Sequence, residues 1–217
     1  MALRINDTAP DFTADTSEGK ISFHDWIGDN YAVLFSHPKD FTPVCTTEFG
    51  AVAQLADEFA KRGVKPIGSS VDSVEEHLKW KSDIEEFSGA SVTFPIIDDT
   101  SLTVAKLYDM LPADAYLPDG RTAADSAAVR STFIIGPDKK IRAMIIYPMT
   151  VGRDFDEILR VIDAIQLTDR EEVATPAGWE KGEDVIVSLG LDDNEAKEKF
   201  GEIDIKFPYL RTTKMPS

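Results

Sequence analysis

The sequence predicts an α/β fold, a mixed β-sheet layered with helices and followed by a smaller C-terminal lobe. Three observations predict it. Short, nearly continuous apolar runs such as YAVLFS at 31–36 have the length and composition of strands buried on both faces. Amphipathic stretches, with apolar residues three and four apart, alternate with these runs. Two β-rich runs, at 131–135 and 141–147, are separated by GPDKK, a turn sequence that joins antiparallel neighbours.

The elements follow in order. After 31–36, Phe49, Val52, Ala53, Ala56 and Phe59 line one face of a helix that Gly63 stops. Residues 64–71, VKPIGSSV, predict a second strand, and Pro66 restricts its pairing because it has no amide donor. Ser73 and Glu76 form an S-x-x-E capping box at the start of a helix reaching about Phe87, with Val74, Leu78 and Trp80 or Ile84 on its buried side. A strand is expected at 92–97 and a helix at 102–110, before the hairpin of 131–147. A helix over 155–167 closes this part, with Phe155, Ile158, Leu159, Ile162 and Ile165 on its apolar face. Strand-helix-strand units followed by a hairpin and a last helix are the thioredoxin-like order. Residues 1–167 are therefore expected to form one domain and 168–217 a lobe, with a strand at 185–189 and an acidic helix at 194–200. A lobe of roughly 50 residues buries too little surface to stand alone, so it is expected to dock on its own chain or on a partner.

Composition removes whole classes of function. Acidic residues number 39 against 23 basic ones, a formal charge of -16, and a phosphate backbone needs a clustered basic surface; no nucleic-acid partner is expected. No run approaches the roughly 18 apolar residues of a membrane span, and the first ten residues have no apolar core, which leaves a cytoplasmic reading without a membrane partner. The single cysteine, Cys45, forbids an intrachain disulfide and a multi-cysteine metal site. Three scattered histidines offer no ligand spacing, and there is no G-x-G-x-x-G or P-loop, so neither a metal nor a cofactor is expected.

The chemistry centres on residues 36–48, SHPKDFTPVCTTE, between the buried strand and the amphipathic helix. A thiol at this transition faces unpaired N–H groups and the positive end of the helix dipole, which favour thiolate. Thr42, three residues before Cys45, can bring a hydroxyl near the sulfur. Pro38 and Pro43 fix φ and remove two donors, which shapes a pocket. Arg130, just before the 131–135 strand, can project toward the end of the central strand. A lone cysteine is more often a small buried hydrophobe than a nucleophile, but this one follows a Pro/Thr-rich loop and does not lie in an apolar stripe.

Pro38-x-x-x-Thr42-x-x-Cys45 resembles the active-site motif of the peroxiredoxins, the AhpC/TSA family, and HPKDFTPVCTTEFG resembles the one-cysteine, peroxiredoxin 6 subgroup. FPIIDD, GPDKK, YPMTVGRDFDEILRV, QLT and VATP extend the resemblance over nearly the whole chain. It implies that Cys45 attacks a peroxide and becomes a sulfenic acid, with Thr42, Arg130 and the Val44 and Cys45 amides holding the substrate. Pro38 would then shield the sulfur, His37 line the pocket, and Glu48 and Arg153 support it. The implied activity is a thiol-specific peroxidase for hydrogen peroxide and small organic hydroperoxides. Without a second cysteine, an external thiol of the glutathione, glutaredoxin or thioredoxin type must resolve the sulfenic acid.

The resemblance also implies a homodimer or a larger assembly. The apolar, proline-free strand at 141–147 is suited to pairing with its own copy across a two-fold axis, and Trp179, Val185, Ile186 and Phe207 of the lobe would gain burial from the neighbour. The competing function is a non-enzymatic redox sensor or holdase switched by Cys45 oxidation. Turnover separates the two, since a sensor stops after one peroxide. Some relatives carry a lipase serine, but Asn30 stands at that position, which leaves His24 and Asp138 in surface or turn roles. His77, in a charged helix, is expected to be solvated.

Overall fold

The apolar run at 31–36 becomes the middle strand of a five-stranded sheet. The computed structural model describes residues 2–113 and 127–216, and it divides the chain into two compact units, Met1–Phe155 and Asp156–Ser217. The first unit contains β1 (Thr13–Ala14), β2 (Ile21–Ser22), α1 (Phe23–Ile27), β3 (Tyr31–Ser36), α2 (Pro43–Gln54), α3 (Ala56–Lys61), β4 (Val64–Ser70), α4 (Val74–Ser88), β5 (Ile96–Asp98), α5 (Thr103–Leu107), β6 (Arg130–Ile135) and β7 (Ile141–Tyr147). The sheet order is β5-β4-β3-β6-β7, with β3 parallel to β4 and antiparallel to β6. This is the mixed, thioredoxin-like arrangement that the order of elements predicts.

Pro66 explains an asymmetry in β4. That strand pairs with β3 along its length but with β5 only over Gly68–Ser70, beyond the proline. Gly68 is required for another reason. A Cβ there would lie 2.6 Å from Cζ of Phe49, so the missing side chain lets α2 settle onto the sheet. Phe49 in turn packs against Phe35, Trp80 and Phe94, with ring centroids 5.1, 4.8 and 5.6 Å away. Each such ring, fully buried, contributes about 2 kcal/mol of transfer free energy.

The helix pattern of 49–59 is interrupted by one turn residue. The Leu55 N–H still donates to Ala51 and the Phe59 N–H to the Leu55 carbonyl, so α2 and α3 continue the same buried face. The capping box on α4 is present as expected, and Gly89 ends the helix in the left-handed region at φ 72°. Leu78, expected inside, is exposed, and His77, expected in water, is fully buried. The apolar stripe of α4 runs instead through Trp80 and Ile84, with His77 admitted to it by polar partners described below. The strand expected at 92–97 shrinks to Ile96–Asp98, and the helix expected at 102–110 to Thr103–Leu107.

The second unit comprises α6 (Phe155–Arg170, whose first residue lies in the first unit), β8 (Val173–Ala174), β9 (Val185–Val187), α7 (Asp193–Phe200), β10 (Asp204–Phe207) and β11 (Leu210–Thr213). Its four-stranded sheet has the order β10-β11-β9-β8. Leu167, Val173, Trp179 and Val185 form a small core of its own, so Trp179 and Val185 are buried without the neighbouring chain that the sequence reading invoked for them. Phe207 remains exposed and stacks on Tyr209, with centroids 5.4 Å apart.

Candidate active site

Cys45 occupies the first turn of α2, behind the N-cap Thr42 and the first helical residue Pro43. Proline suits that position, because its missing N–H would be unpaired there anyway. Thr42 makes no side-chain cap; its hydroxyl donates to the Lys39 carbonyl at 2.8 Å instead. The first-turn N–H groups therefore stay unclaimed by the cap, at the positive end of the helix dipole. The thiol is fully buried.

Arg130, the first residue of β6, approaches from the sheet. Its Nη1 lies 3.3 Å from Cys45 Sγ and 2.6 Å from Glu48 Oε2, while Nε donates to the Met149 carbonyl at 2.9 Å. One nitrogen, which carries two hydrogens, thus serves both the sulfur and the carboxylate. Glu48 lies one helical turn beyond Cys45 and is buried with it. Arg153 grips it from the other side, and its own Nη1 donates to the Ser131 carbonyl at 3.0 Å. Burial alone would raise the Glu48 pKa, but the hydrogen bonds and charge of Arg153, with Arg130 behind them, hold it below the usual carboxylate range. The Arg153 guanidinium also stacks 5.2 Å from the Phe35 ring centroid.

The structure thus brings Cys45, Arg130, Glu48 and Arg153 into one connected group, with Thr42 and Val44 on the same helix start. Pro38 is half-buried in the preceding loop, and Val44 lies where a Cβ on Gly152 would come within 3.4 Å of its Cγ1. His37 is fully buried, between the rings of Phe49 and Trp80, and its ring bonds Asp40. Asp40, Asp72 and His77 are residues that sequence reasoning missed. Their signal was weak, because single polar residues 32 and 37 positions apart carry no local periodicity. Ligand atoms of His37, Asp40 and Asp72 lie within 4.8 Å of one another, so these side chains are less scattered than their spacing suggests. Both Asp40 oxygens are taken by histidine rings, which accounts for the grouping as a hydrogen-bond network.

Asn30, where a lipase serine would stand, donates its amide to the Ile27 carbonyl at 3.1 Å. His24 contacts the Ala9 carbonyl through Nε2 at 2.8 Å, and Asp138 accepts from the Lys140 amide in the β6–β7 turn.

The AhpC/TSA family model matches residues 5–144, and a model for the C-terminal domain of 1-Cys peroxiredoxin matches 164–202. The chain belongs to the AhpC/TSA family. It is a peroxiredoxin, a thiol-dependent peroxidase of the one-cysteine type. It is 54% identical to the mitochondrial peroxiredoxin PRX1 of Saccharomyces cerevisiae, over 98% of this chain and 81% of the yeast protein. It is 50% identical to peroxiredoxin-6 of Mus musculus, over 99% of this chain and 98% of the mouse protein. Among solved structures, a cysteine-to-serine mutant of Arenicola marina peroxiredoxin 6 superimposes with a TM-score of 0.92 at 45% identity, covering 100% of both chains. The yeast mitochondrial 1-Cys peroxiredoxin, in a study of thiol resolving via glutathione/thioredoxin systems, superimposes at 0.88 with 53% identity, covering 98% of this chain and 99% of that one. No helix among the described residues of this peroxiredoxin is long and apolar enough to cross a membrane.

Proposed function

We propose that Cys45 reduces hydrogen peroxide and small organic hydroperoxides, and that an external thiol completes the cycle. The observation that carries this reading is the 3.3 Å approach of Arg130 Nη1 to the sulfur of the only cysteine. In the first step the thiolate attacks the terminal peroxide oxygen, an S–O bond forms, the O–O bond breaks, and the leaving oxygen takes a proton to depart as water or an alcohol. Arg130 stabilises the negative charge that develops on the two oxygens, and the Thr42 hydroxyl with the Val44 and Cys45 N–H groups orients them. Pro38 and His37 limit water around the sulfur, while Glu48 and Arg153 keep Arg130 in place. An external thiol then condenses with the sulfenic acid and releases water, and a second thiol displaces Cys45 as a thiol.

The reductant class is glutathione, a glutaredoxin or a thioredoxin, and a relative 53% identical to this chain is described as resolved via glutathione/thioredoxin systems. A thiol-dependent antioxidant cycle needs a reducing compartment, which supports a cytoplasmic location. The PRX1 relative is mitochondrial, and cell fractionation distinguishes the two compartments. The division into a peroxidase domain over 1–167 and a C-terminal lobe over 168–217 belongs to the same reading, and the two family models, at 5–144 and 164–202, support it.

The working unit is a homodimer. Among the described residues β7 pairs with β6 alone, and its outer edge is met only near Ile141, by the backbone of Asn6 and Asp7. A bare edge of this length invites another strand. Steady-state peroxide consumption against a panel of thiol reductants tests the function. Many peroxides consumed per chain with one of them is the expected result, and a single peroxide per chain with all of them favours a redox sensor or holdase.

A further inference from the structure

Beneath the loop that leads to Thr42 lies a set of buried ionisable groups, of which Asp40, Asp72 and His77 are left unused by the peroxidase chemistry. Asp40 is 2% exposed and meets two histidines, His37 Nε2 at 2.7 Å on Oδ1 and His77 Nδ1 at 2.6 Å on Oδ2. The other nitrogen of His77, Nε2, lies 3.0 Å from the Ile97 carbonyl. A carbonyl can only accept, so Nε2 carries a proton, and the contact with Asp40 must hold a second one. With Asp40 held as a carboxylate, both protons belong to the His77 ring, an imidazolium facing a carboxylate. His37 differs. Its Nδ1 has no hydrogen-bond partner among the described residues, as suits a neutral ring with its proton on Nε2.

The titration directions agree with this geometry. Burial lowers the His37 pKa more than Asp40 can raise it. For His77 the burial penalty is outweighed by the hydrogen bond and charge of Asp40, and the pKa rises. Asp40 itself, despite burial, is held down to about 2 by the two rings.

The backbone is anchored at the same point. The Asp40 N–H donates to Asp72 Oδ2 at 2.8 Å, and the Ser70 hydroxyl donates to the same oxygen at 2.8 Å. Asp40 is therefore tied to the end of β3 through His37, to the end of β4 through Ser70 and Asp72, and to α4 through His77. The next residue, Phe41, has φ 54°, the left-handed region, and an exposed ring. For a residue with this side chain the conformation is strained and persists only where its neighbours impose it. Thr42 follows directly as the N-cap of α2.

We infer that His77 is a positioning residue for the peroxidase reaction: by gripping Asp40 it holds the Asp40–Phe41 backbone in the conformation that sets Thr42 at the start of α2 beside Cys45. This rests on the reading of Cys45 and Thr42 as the peroxide-handling groups. His77 touches neither of them and acts through Asp40.

Two rates separate positioning from general loosening: single-turnover oxidation of Cys45 by hydrogen peroxide, which needs the placed hydroxyl, and alkylation of Cys45 by iodoacetamide, which does not. In His77→Gln the ratio of peroxide rate to alkylation rate is expected to fall by about tenfold or more. Asp72→Ala, which removes the acceptor shared by the Asp40 N–H and the Ser70 hydroxyl, moves the ratio the same way and serves if His77→Gln does not fold. Glycine adopts positive φ without strain, so adding Phe41→Gly to His77→Gln should recover at least about threefold of the ratio. A ratio within about twofold of the parent in folded His77→Gln, or in Asp72→Ala if the first variant is unfolded, overturns the inference. A parent protein whose Cys45 does not react with peroxide overturns the functional reading itself, and that is seen without any variant.

Discussion

Arg153 holds Glu48 Oε1 through Nε at 2.9 Å and its backbone N–H at 2.8 Å and Oε2 through Nη2 at 2.8 Å, and Oε2 accepts from Arg130 as well. A carboxylate between two buried guanidiniums fixes both, and the nitrogen that faces the Cys45 sulfur is one of the groups so fixed. The ion pairs are part of the catalytic geometry, and their net contribution to stability is the lesser matter, because desolvation offsets much of the Coulomb attraction.

Glu48→Gln leaves two buried guanidiniums facing a neutral amide. Breaking such a pair costs about 3–5 kcal/mol when a charge is stranded, so urea unfolding should show a loss of that order. Peroxide oxidation of Cys45, followed by stopped flow, should also slow by at least about tenfold, since Arg130 loses its second anchor.

Arg130→Lys keeps the charge but not the fork. One ammonium cannot reach the Met149 carbonyl, Glu48 and the sulfur with the directions that Nε and Nη1 provide. The expected loss is about 2–4 kcal/mol of transition-state stabilisation, comparable to removal of an oxyanion donor. A single-turnover rate within about threefold of the parent would mean that Arg130 does not face the developing charge.

Acid should act on stability through Asp40. Its folded-state pKa is depressed from 3.8 to about 2, so its contribution is complete above the unfolded value and is lost as pH falls through that interval. Chemical denaturation between pH 5 and pH 2 should show this decline, and Asp40→Asn should flatten it.

The reach of sequence reasoning differs from element to element. The α4 capping box, the β6–β7 hairpin and the placement of Cys45 were legible because each is written in a few adjacent residues. The burial of His77 was not, because its partners Asp40 and Ile97 come from a loop and a strand elsewhere in the chain, and only the folded sheet brings them to α4. Leu78 misled for the complementary reason: with Trp80 and Ile84 already filling the core side, the helix turns that leucine outward. Arg130 was found by its position at a strand start, but its division between sulfur and carboxylate belongs to tertiary structure.

Dimerisation should follow from the β7 edge. Light scattering at micromolar concentration is expected to give about 48 kDa, twice the 24.0 kDa chain. Ile146→Asp, which places a charge at an exposed apolar position of β7, should shift the mass toward the monomer.

The most direct test of the account is Cys45→Ser, a nearly isosteric change at the only cysteine. The folded variant, given peroxide and the reductant that supports turnover in the parent, is expected to consume no peroxide above the rate of the reductant alone. Reductant-dependent turnover at the parent's rate would contradict the assignment of Cys45 as the nucleophile.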